Sequence, residues 1–429
     1  MALLLKGGRV VDPAAGVDGV LDVLVENGVI AGVGEDLEAP GAEVVDCAEK
    51  VLLPGLADIH VHLREPGQEY KETIASGTRA AAHGGFTAVA CMPNTAPVCD
   101  SGSTVRFVIE RAEETGVVRV YPIGAVTAGQ AGEQLAEVGD MVAEGAVAFS
   151  DDGHGIQSAG MTRVAMDYIK RFDVPLIAHC EDESLAGGGV VNEGAVSTRM
   201  GLPGIPAEAE ETMVARDIAL AELTGCRLHL AHLSTAGSLE LVRRAKARGV
   251  AVTCEVTPHH LFLDEDSLVT YDTDLKMNPP LRTPADREAM VEGLLDGTVD
   301  CIATDHAPHA VHEKELEFEL APNGTTGLET ALSLVNTHLV ATGKLDWAGV
   351  CRVMCHNPRS AANLPEMRLE AGFPADITVV DPEARVDVTP GWFVSRSRNS
   401  AFTGASLLGR ASDVLVGGSW VVRKGKVVV

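Results

Sequence analysis

Eight short apolar runs alternate with helical stretches through the middle of this chain, and that alternation narrows its possible folds more than any other feature. The runs are 56–61, 87–91, 118–124, 146–149, 175–178, 227–231, 250–256 and 299–303, with helical patterns between them, for example over 207–224, 238–248 and 285–295. Strand and helix in alternation give a parallel sheet with crossover helices. Eight such units close a (β/α)8 TIM-type barrel, which needs roughly 250 residues. The chain has 429, and the surplus falls at its two ends. There, short valine-rich runs (20–25, 29–33 and 44–45, then 376–380, 414–416 and 420–429) are punctuated by glycine and proline, as small strands joined by turns are. We therefore predict an α/β fold in which 55–365 form the barrel, while 1–54 and 366–429 together form one small β-rich domain.

Most of the eight runs lead into a polar or metal-binding side chain: His60 and His62, Asn94, Asp151 with Asp152, His179, His232, His259 with His260, and Asp305. In a barrel the C-terminal strand ends share one face, so residues far apart in sequence converge on one site. His60 and His62 point the same way on a period of two and can grip one cation. Taken alone, an H-x-H is as readily a pair of core or surface histidines. Its weight comes from the other strand ends. His179 and His232 each end an apolar run, where a neutral imidazole can bind an ion or simply serve the core. His229, inside its run, is read as structural. Asp305 can cap the following segment, or it can both touch a metal and trade a proton, since a carboxylate beside a metal-activated water is placed to act as general base.

Charge and cysteine usage limit the partners. A formal net charge of -27 makes the surface repel nucleic acids and anionic membranes, so a small anionic substrate needs a local positive site. The nine cysteines form no C-x-x-C pair and lie mostly within apolar runs, as reduced buried thiols do. The opening apolar run is too short for a signal-peptide core and no later stretch is long enough to span a bilayer. We expect a cytoplasmic protein with no membrane or nucleic-acid partner.

The runs Asp58-Ile59-His60-Val61-His62-Leu63-Arg64-Glu65-Pro66-Gly67, Met92-Pro93-Asn94-Thr95, Phe149-Ser150-Asp151-Asp152-Gly153 and Ala303-Thr304-Asp305-His306-Ala307-Pro308-His309 resemble those of the bacterial type I dihydroorotases, an amidohydrolase family, and the likeness covers nearly the whole chain. The resemblance implies a reversible, metal-dependent hydrolysis and closure of a cyclic amide, interconverting L-dihydroorotate and N-carbamoyl-L-aspartate in de novo pyrimidine biosynthesis. It implies His60, His62 and Asp305 as ligands of one metal, His179 and His232 as ligands of another, and Asp152 between them. One or two zinc ions per chain are expected, although such nitrogen and oxygen donors also suit cobalt or manganese. Many amidohydrolases, hydantoinases, dihydropyrimidinases and allantoinases among them, bridge their metals with a carboxylated lysine on the fourth strand. Here 146–152 contains no lysine, and the resemblance favours Asp152 as the bridge, with Asp151 orienting or capping. Asp305 is implied as the catalytic proton shuttle.

Arg64, two residues beyond His62, is the cation a substrate carboxylate needs. The resemblance adds Asn94 and His309 to that side, assigns Asn278 to the ring, and implies main-chain contacts from Asn323 and Gly324. Asn278 precedes Pro279-Pro280 and reads nearly as well as a turn residue. Relatives commonly carry phenylalanine before that glycine and a branched apolar pair after it. This chain has Asn323-Gly324-Thr325-Thr326, which preserves main-chain contacts and alters packing over the ring. The polar stretch 310–319 reads either as a mobile flap or as a solvated loop. Two rival readings follow. One is an allantoinase-like or hydantoinase-like amidohydrolase, opposed by the absent lysine and by Arg64 and Asn94. The other is a silent homologue scaffolding aspartate transcarbamoylase, which should have lost ligands that are all present here. Association with that enzyme and a homodimer are the partner expectations beyond a small-molecule substrate.

Overall fold

The computed structural model describes residues 2–429. All eight predicted runs are strands, at Leu56–Val61, Phe86–Cys91, Arg119–Gly124, Ala148–Ser150, Leu176–Ala178, Leu228–Leu230, Val252–Val256 and Cys301–Ile302, and they pair in parallel in chain order. A parallel bridge between Val61 and His306, with the His62 N–H donating to the His306 carbonyl at 2.9 Å, brings the eighth unit back against the first. These strands are covered on both sides, which is why they read as continuous apolar runs and not as alternating ones. Their inward side chains, Ile59, Ala90, Ile123, Ala148, Ile177 and Ala231 among them, mix isoleucine with alanine and fill a narrow lumen. The larger cluster, containing Phe86, Phe149, Leu228 and Leu230, lies between strands and helices.

Local signals set the crossover helices. Glu208–Thr224, Ala236–Ala247 and Pro284–Asp296 occupy the three predicted stretches. Thr283 accepts from the Asp286 N–H, Pro284 occupies the first turn, and Gly297 ends the helix at φ 82, the usual chemistry of a helix start and stop. Gly84, at the end of the Ile74–Gly84 helix, marks a close approach: a Cβ there would lie 2.0 Å from the Leu328 carbonyl oxygen.

The two ends of the chain build one mixed sheet of nine strands. Its path runs Lys426–Val427, Ser419–Arg423, Ser406–Val416, Ile377–Asp387, Val51–Pro54, Ala2–Asp12, Val17–Glu26 and Val29–Gly34, with Glu43–Asp46 also pairing Ala2–Asp12. N-terminal and C-terminal halves meet where Pro54 pairs with Ile377 and Val51 with Val380. Leu5, Val23, Leu52, Ile377 and Leu415 form its own core, and the Arg119 guanidinium grips Asp376 at 2.6 Å to fasten the sheet to the barrel. Between Asp387 and Ser406 the chain leaves this sheet as a strap without regular structure. There Ser395, Ser397 and Asn399 are buried while Arg396 and Arg398 are exposed. All nine cysteines are buried and unpaired, and no helix among the described residues is long and apolar enough to cross a membrane.

Candidate active site

The C-terminal strand ends converge on a cavity of about 200 Å³ lined by His62, Arg64, Asn94, Asp152, His179, His232, Asn278, Asp305, His309, Asn323 and Gly324. Eleven of the twelve residues singled out from the sequence therefore share one hollow. The twelfth, His60, lies just beneath it with no exposed surface. Three of them, Arg64 at φ 62, His232 at φ 33 and Asp305 at φ 47, hold left-handed backbone that is uncommon outside glycine. Strain of this kind persists where surrounding contacts enforce it, and here the three residues that carry it line the same cavity.

Asp152 stands at the centre. Its Oδ1 lies 3.2 Å from His60 Nε2, 3.7 Å from His232 Nε2 and 3.8 Å from His179 Nδ1, and its Oδ2 lies 3.6 Å from His62 Nε2. Asp305 Oδ1 approaches His62 Nε2 at 3.0 Å and His60 Nε2 at 3.6 Å. His179 Nδ1 faces His232 Nε2 at 2.9 Å. Burial opposes charge on both aspartates, but the neighbouring imidazoles outweigh it and hold both carboxyls below the usual range. Several of these buried atoms have no hydrogen-bond partner, among them His60 Nε2, Asp152 Oδ1, His179 Nε2 and His232 Nδ1. Buried polar atoms are ordinarily satisfied. A knot of unsatisfied imidazole nitrogens around two carboxylates is the donor set a divalent cation takes, and it fits here as two overlapping groups, His60, His62 and Asp305 on one side, His60, Asp152 and His232 on the other.

Asp151, next in sequence to Asp152, points away. Its Oδ1 accepts from the N–H groups of Val126 at 2.8 Å and Thr127 at 3.1 Å, and its Oδ2 accepts from the Thr127 hydroxyl. His229 likewise faces away from the cavity, toward Thr253 and Glu255.

Arg64, which also lines the cavity, is buried and lowered in pKa by that burial. Its Nε donates to the Pro308 carbonyl at 3.2 Å, and its guanidinium pairs with no carboxylate among the described residues. His309 donates from Nε2 to the Asn323 carbonyl at 2.8 Å. Burial, then Arg64, Lys71 and Lys314, push its pKa down to about 2, so the ring is neutral. Asn94 accepts at Oδ1 from His62 Nδ1 at 2.9 Å, leaving its amide nitrogen free for other work. Asn278 Oδ1 is buried without a partner and lines the cavity. Gly324 at φ 129 leaves room that a Cβ would fill, 2.6 Å from that of Ala307. The polar stretch after His309 is tied down: Lys71 pairs with Glu313 at 3.0 Å, and Lys314 Nζ donates to the carbonyls of Pro322 and Gly324, each at 3.0 Å.

Sequence reasoning missed two supports. Glu255, fully buried on the seventh barrel strand, binds His60 Nδ1 at 2.6 Å and His229 Nε2 at 3.1 Å, and the two histidines outweigh its burial to lower its pKa to about 2. A lone carboxylate inside Val252–Val256 was its signal, since a buried charge must have a partner. Asp58 accepts from the His60 and Thr304 N–H groups, which locks the first strand end to the eighth.

Comparison with known proteins gives a consistent result. A family model described as Dihydro-orotase-like matches residues 49–238. The chain is 54% identical over 423 residues to a dihydroorotase from Pelotomaculum thermopropionicum, covering 99% of each chain. It is 52% identical over 418 residues to one from Syntrophotalea carbinolica, covering 97% of this chain and 98% of the other. Among solved structures, an L-hydantoinase from Arthrobacter aurescens superposes with a TM-score of 0.90 at 25% identity, over 100% of this chain and 97% of the other. A D-hydantoinase from a Thermus species superposes with a TM-score of 0.86 at 27% identity, over 99% and 96%.

Proposed function

The chain belongs to the dihydroorotase family, and from that premise we propose a mechanism by which it hydrolyses and recloses the ring amide linking L-dihydroorotate and N-carbamoyl-L-aspartate. It is a cyclic amide hydrolase acting on a small molecule. One observation carries the choice of an anionic ring over a neutral one: a buried guanidinium, Arg64, lacks a carboxylate partner and shares its cavity with a histidine and aspartate cluster. A neutral hydantoin or dihydrouracil would leave that charge unanswered, and an unpaired buried charge is costly.

In this proposal His60, His62 and Asp305 would hold one cation and His179 and His232 a second, with Asp152 as a further ligand between the two groups. Zinc is the ion that their nitrogen and oxygen donors suit best. When bound, such an ion supplies Lewis acidity toward the ring carbonyl and lowers the pKa of the attacking water. Asp305 takes a proton from that water and returns it to the ring nitrogen as the carbon–nitrogen bond breaks. Arg64 fixes the exocyclic carboxylate, with His309 and the amide nitrogen of Asn94 beside it, so the ring carbonyl is held against the cluster. Asn278 and the main chain of Asn323 and Gly324 meet the ring. The division at 1–54, 55–365 and 366–429 belongs to the same proposal, as do a cytoplasmic address, a homodimer and association with aspartate transcarbamoylase. The nine unpaired cysteines support the address.

The test is a steady-state comparison of dihydroorotate with dihydrouracil, hydantoin and allantoin, with elemental metal analysis of the same preparation. Dihydroorotate should be preferred by orders of magnitude. Equal turnover of dihydrouracil would remove Arg64 from its role.

A further inference from the structure

The strap between Asp387 and Ser406 runs to the mouth of the barrel although it belongs, by sequence, to the terminal sheet. From 395 to 399 its residues alternate buried, exposed, buried, exposed, buried, so that Ser395, Ser397 and Asn399 face inward while Arg396 and Arg398 face solvent. That is the period of an extended chain lying on a surface. Each inward side chain is polar and each is used. Ser395 Oγ donates to Glu72, Ser397 Oγ donates to the Lys71 carbonyl at 2.7 Å, and Asn399 does the most.

Asn399 is 5% exposed. Its Oδ1 accepts from the His309 N–H at 2.9 Å, and its Nδ2 donates to the carbonyls of Ala307 and Gly324, both at 3.1 Å. Its own carbonyl accepts from the Thr326 N–H at 2.8 Å. One side chain thus ties together the two separate segments that present His309 and Gly324 to the cavity, without lining the cavity itself. The amide is the group this job needs, because it offers one acceptor to an N–H and two donors to two carbonyls.

We propose that Asn399 is a positioning residue for substrate binding: it sets the spacing between the His309 segment and the Gly324 loop, and so the fit of the carboxylate side of the ring. The inference rests on the dihydroorotase reading. It makes no contact with the metal-type cluster, so its loss should raise KM and spare metal content.

The test is the kinetics of L-dihydroorotate hydrolysis by full-length Asn399→Ala, Asn399→Asp and Ser397→Ala, with metal stoichiometry and Tm measured alongside. Asn399→Ala should raise KM about tenfold or more with kcat within about threefold and metal content unchanged, the pattern of lost binding. Asn399→Asp keeps the acceptor for His309 but sets a carboxylate oxygen against two carbonyls, so it should do no better than alanine. Ser397→Ala removes a lesser tie and should raise KM severalfold; it carries the test if the Asn399 variants fail to fold. Wild-type KM in Asn399→Ala or in Ser397→Ala, wild-type behaviour of Asn399→Asp, or a loss confined to kcat or metal content overturns the inference. Wild-type protein inert toward dihydroorotate would sink the dihydroorotase reading as well, a failure distinguishable from a working enzyme indifferent to these substitutions.

Discussion

Glu255 accepts the Nδ1 proton of His60 at 2.6 Å, although the two lie 195 positions apart and neither has any exposed surface. The carboxylate fixes the ring so that Nε2 points into the cluster, and it makes that nitrogen a better donor to a cation. Glu255→Gln should therefore weaken metal affinity by about 10–100-fold, the usual effect of losing such a support. Chelator competition reads this directly. Wild-type affinity would show that His60 is held by packing alone.

Metal removal should be visible in stability as well as activity. His60, His179, His232 and Asp152 keep buried atoms without partners. A cation that satisfies them binds the folded chain alone, adding about 2.7 kcal/mol at a hundred times its Kd. Tm should fall on chelation and recover on adding zinc. A Tm indifferent to both would contradict the assigned ligands.

Asp305→Asn is expected to keep KM within a few fold while turnover falls by about 10²–10⁴, the range ascribed to one positioned proton carrier. Near-normal turnover in metal-replete protein would remove Asp305 as the shuttle.

Arg64→Lys keeps a positive charge and loses the planar fork. The KM for dihydroorotate should rise about 10–100-fold, while the slow turnover of dihydrouracil, which has no carboxylate to clamp, should scarcely change. A parallel loss on both substrates would mean that Arg64 supports the fold of the site and not the substrate.

The convergence of the proposed ligands was legible in the sequence because barrel topology makes it so: a histidine or aspartate at the end of an apolar run is placed on the face where the C-terminal strand ends meet. His62, His179, His232 and Asp305 lie just past their runs and line the cavity, while His60, the penultimate residue of its strand, lies beneath it. Family resemblance favours Asp152 over Asp151, and the structure adds the physical reason: Asp151 accepts from the N–H groups of Val126 and Thr127 and so faces away from its neighbour in the turn. Asn94 is named from the sequence, and the structure adds only that its carbonyl oxygen is spent on His62. Asn399 left no trace in any periodicity. Its side-chain partners lie 75 to 92 positions upstream, and nothing local requires them.

Away from the site, His356 donates to Asp12 at 2.9 Å. Burial works against its charge, but the hydrogen bonds to Asp12 and Cys351 outweigh that and raise its pKa to about 9. A histidine raised in the folded state stabilises fully below its unfolded value near 6.5, and that contribution is lost as pH rises through about 9. The wild-type advantage over His356→Gln in urea unfolding should therefore be on the order of 2–3 kcal/mol at pH 6 and should shrink steadily toward pH 10. An advantage constant across that range would mean that the pair is not held by charge.

The mixed sheet also has a consequence for birth order. Val51–Pro54 pairs with Ala2–Asp12 on one edge but finds its other neighbour only in Ile377–Asp387, and the Leu56 N–H meets Thr378 across 322 positions. A ribosome adding about 5–20 residues per second leaves that apolar edge waiting for roughly a quarter of a minute to a minute. The strap is strung between two of the later strands. The nascent chain thus carries every proposed metal ligand before it carries Asn399, and the side proposed to grip the substrate is finished last.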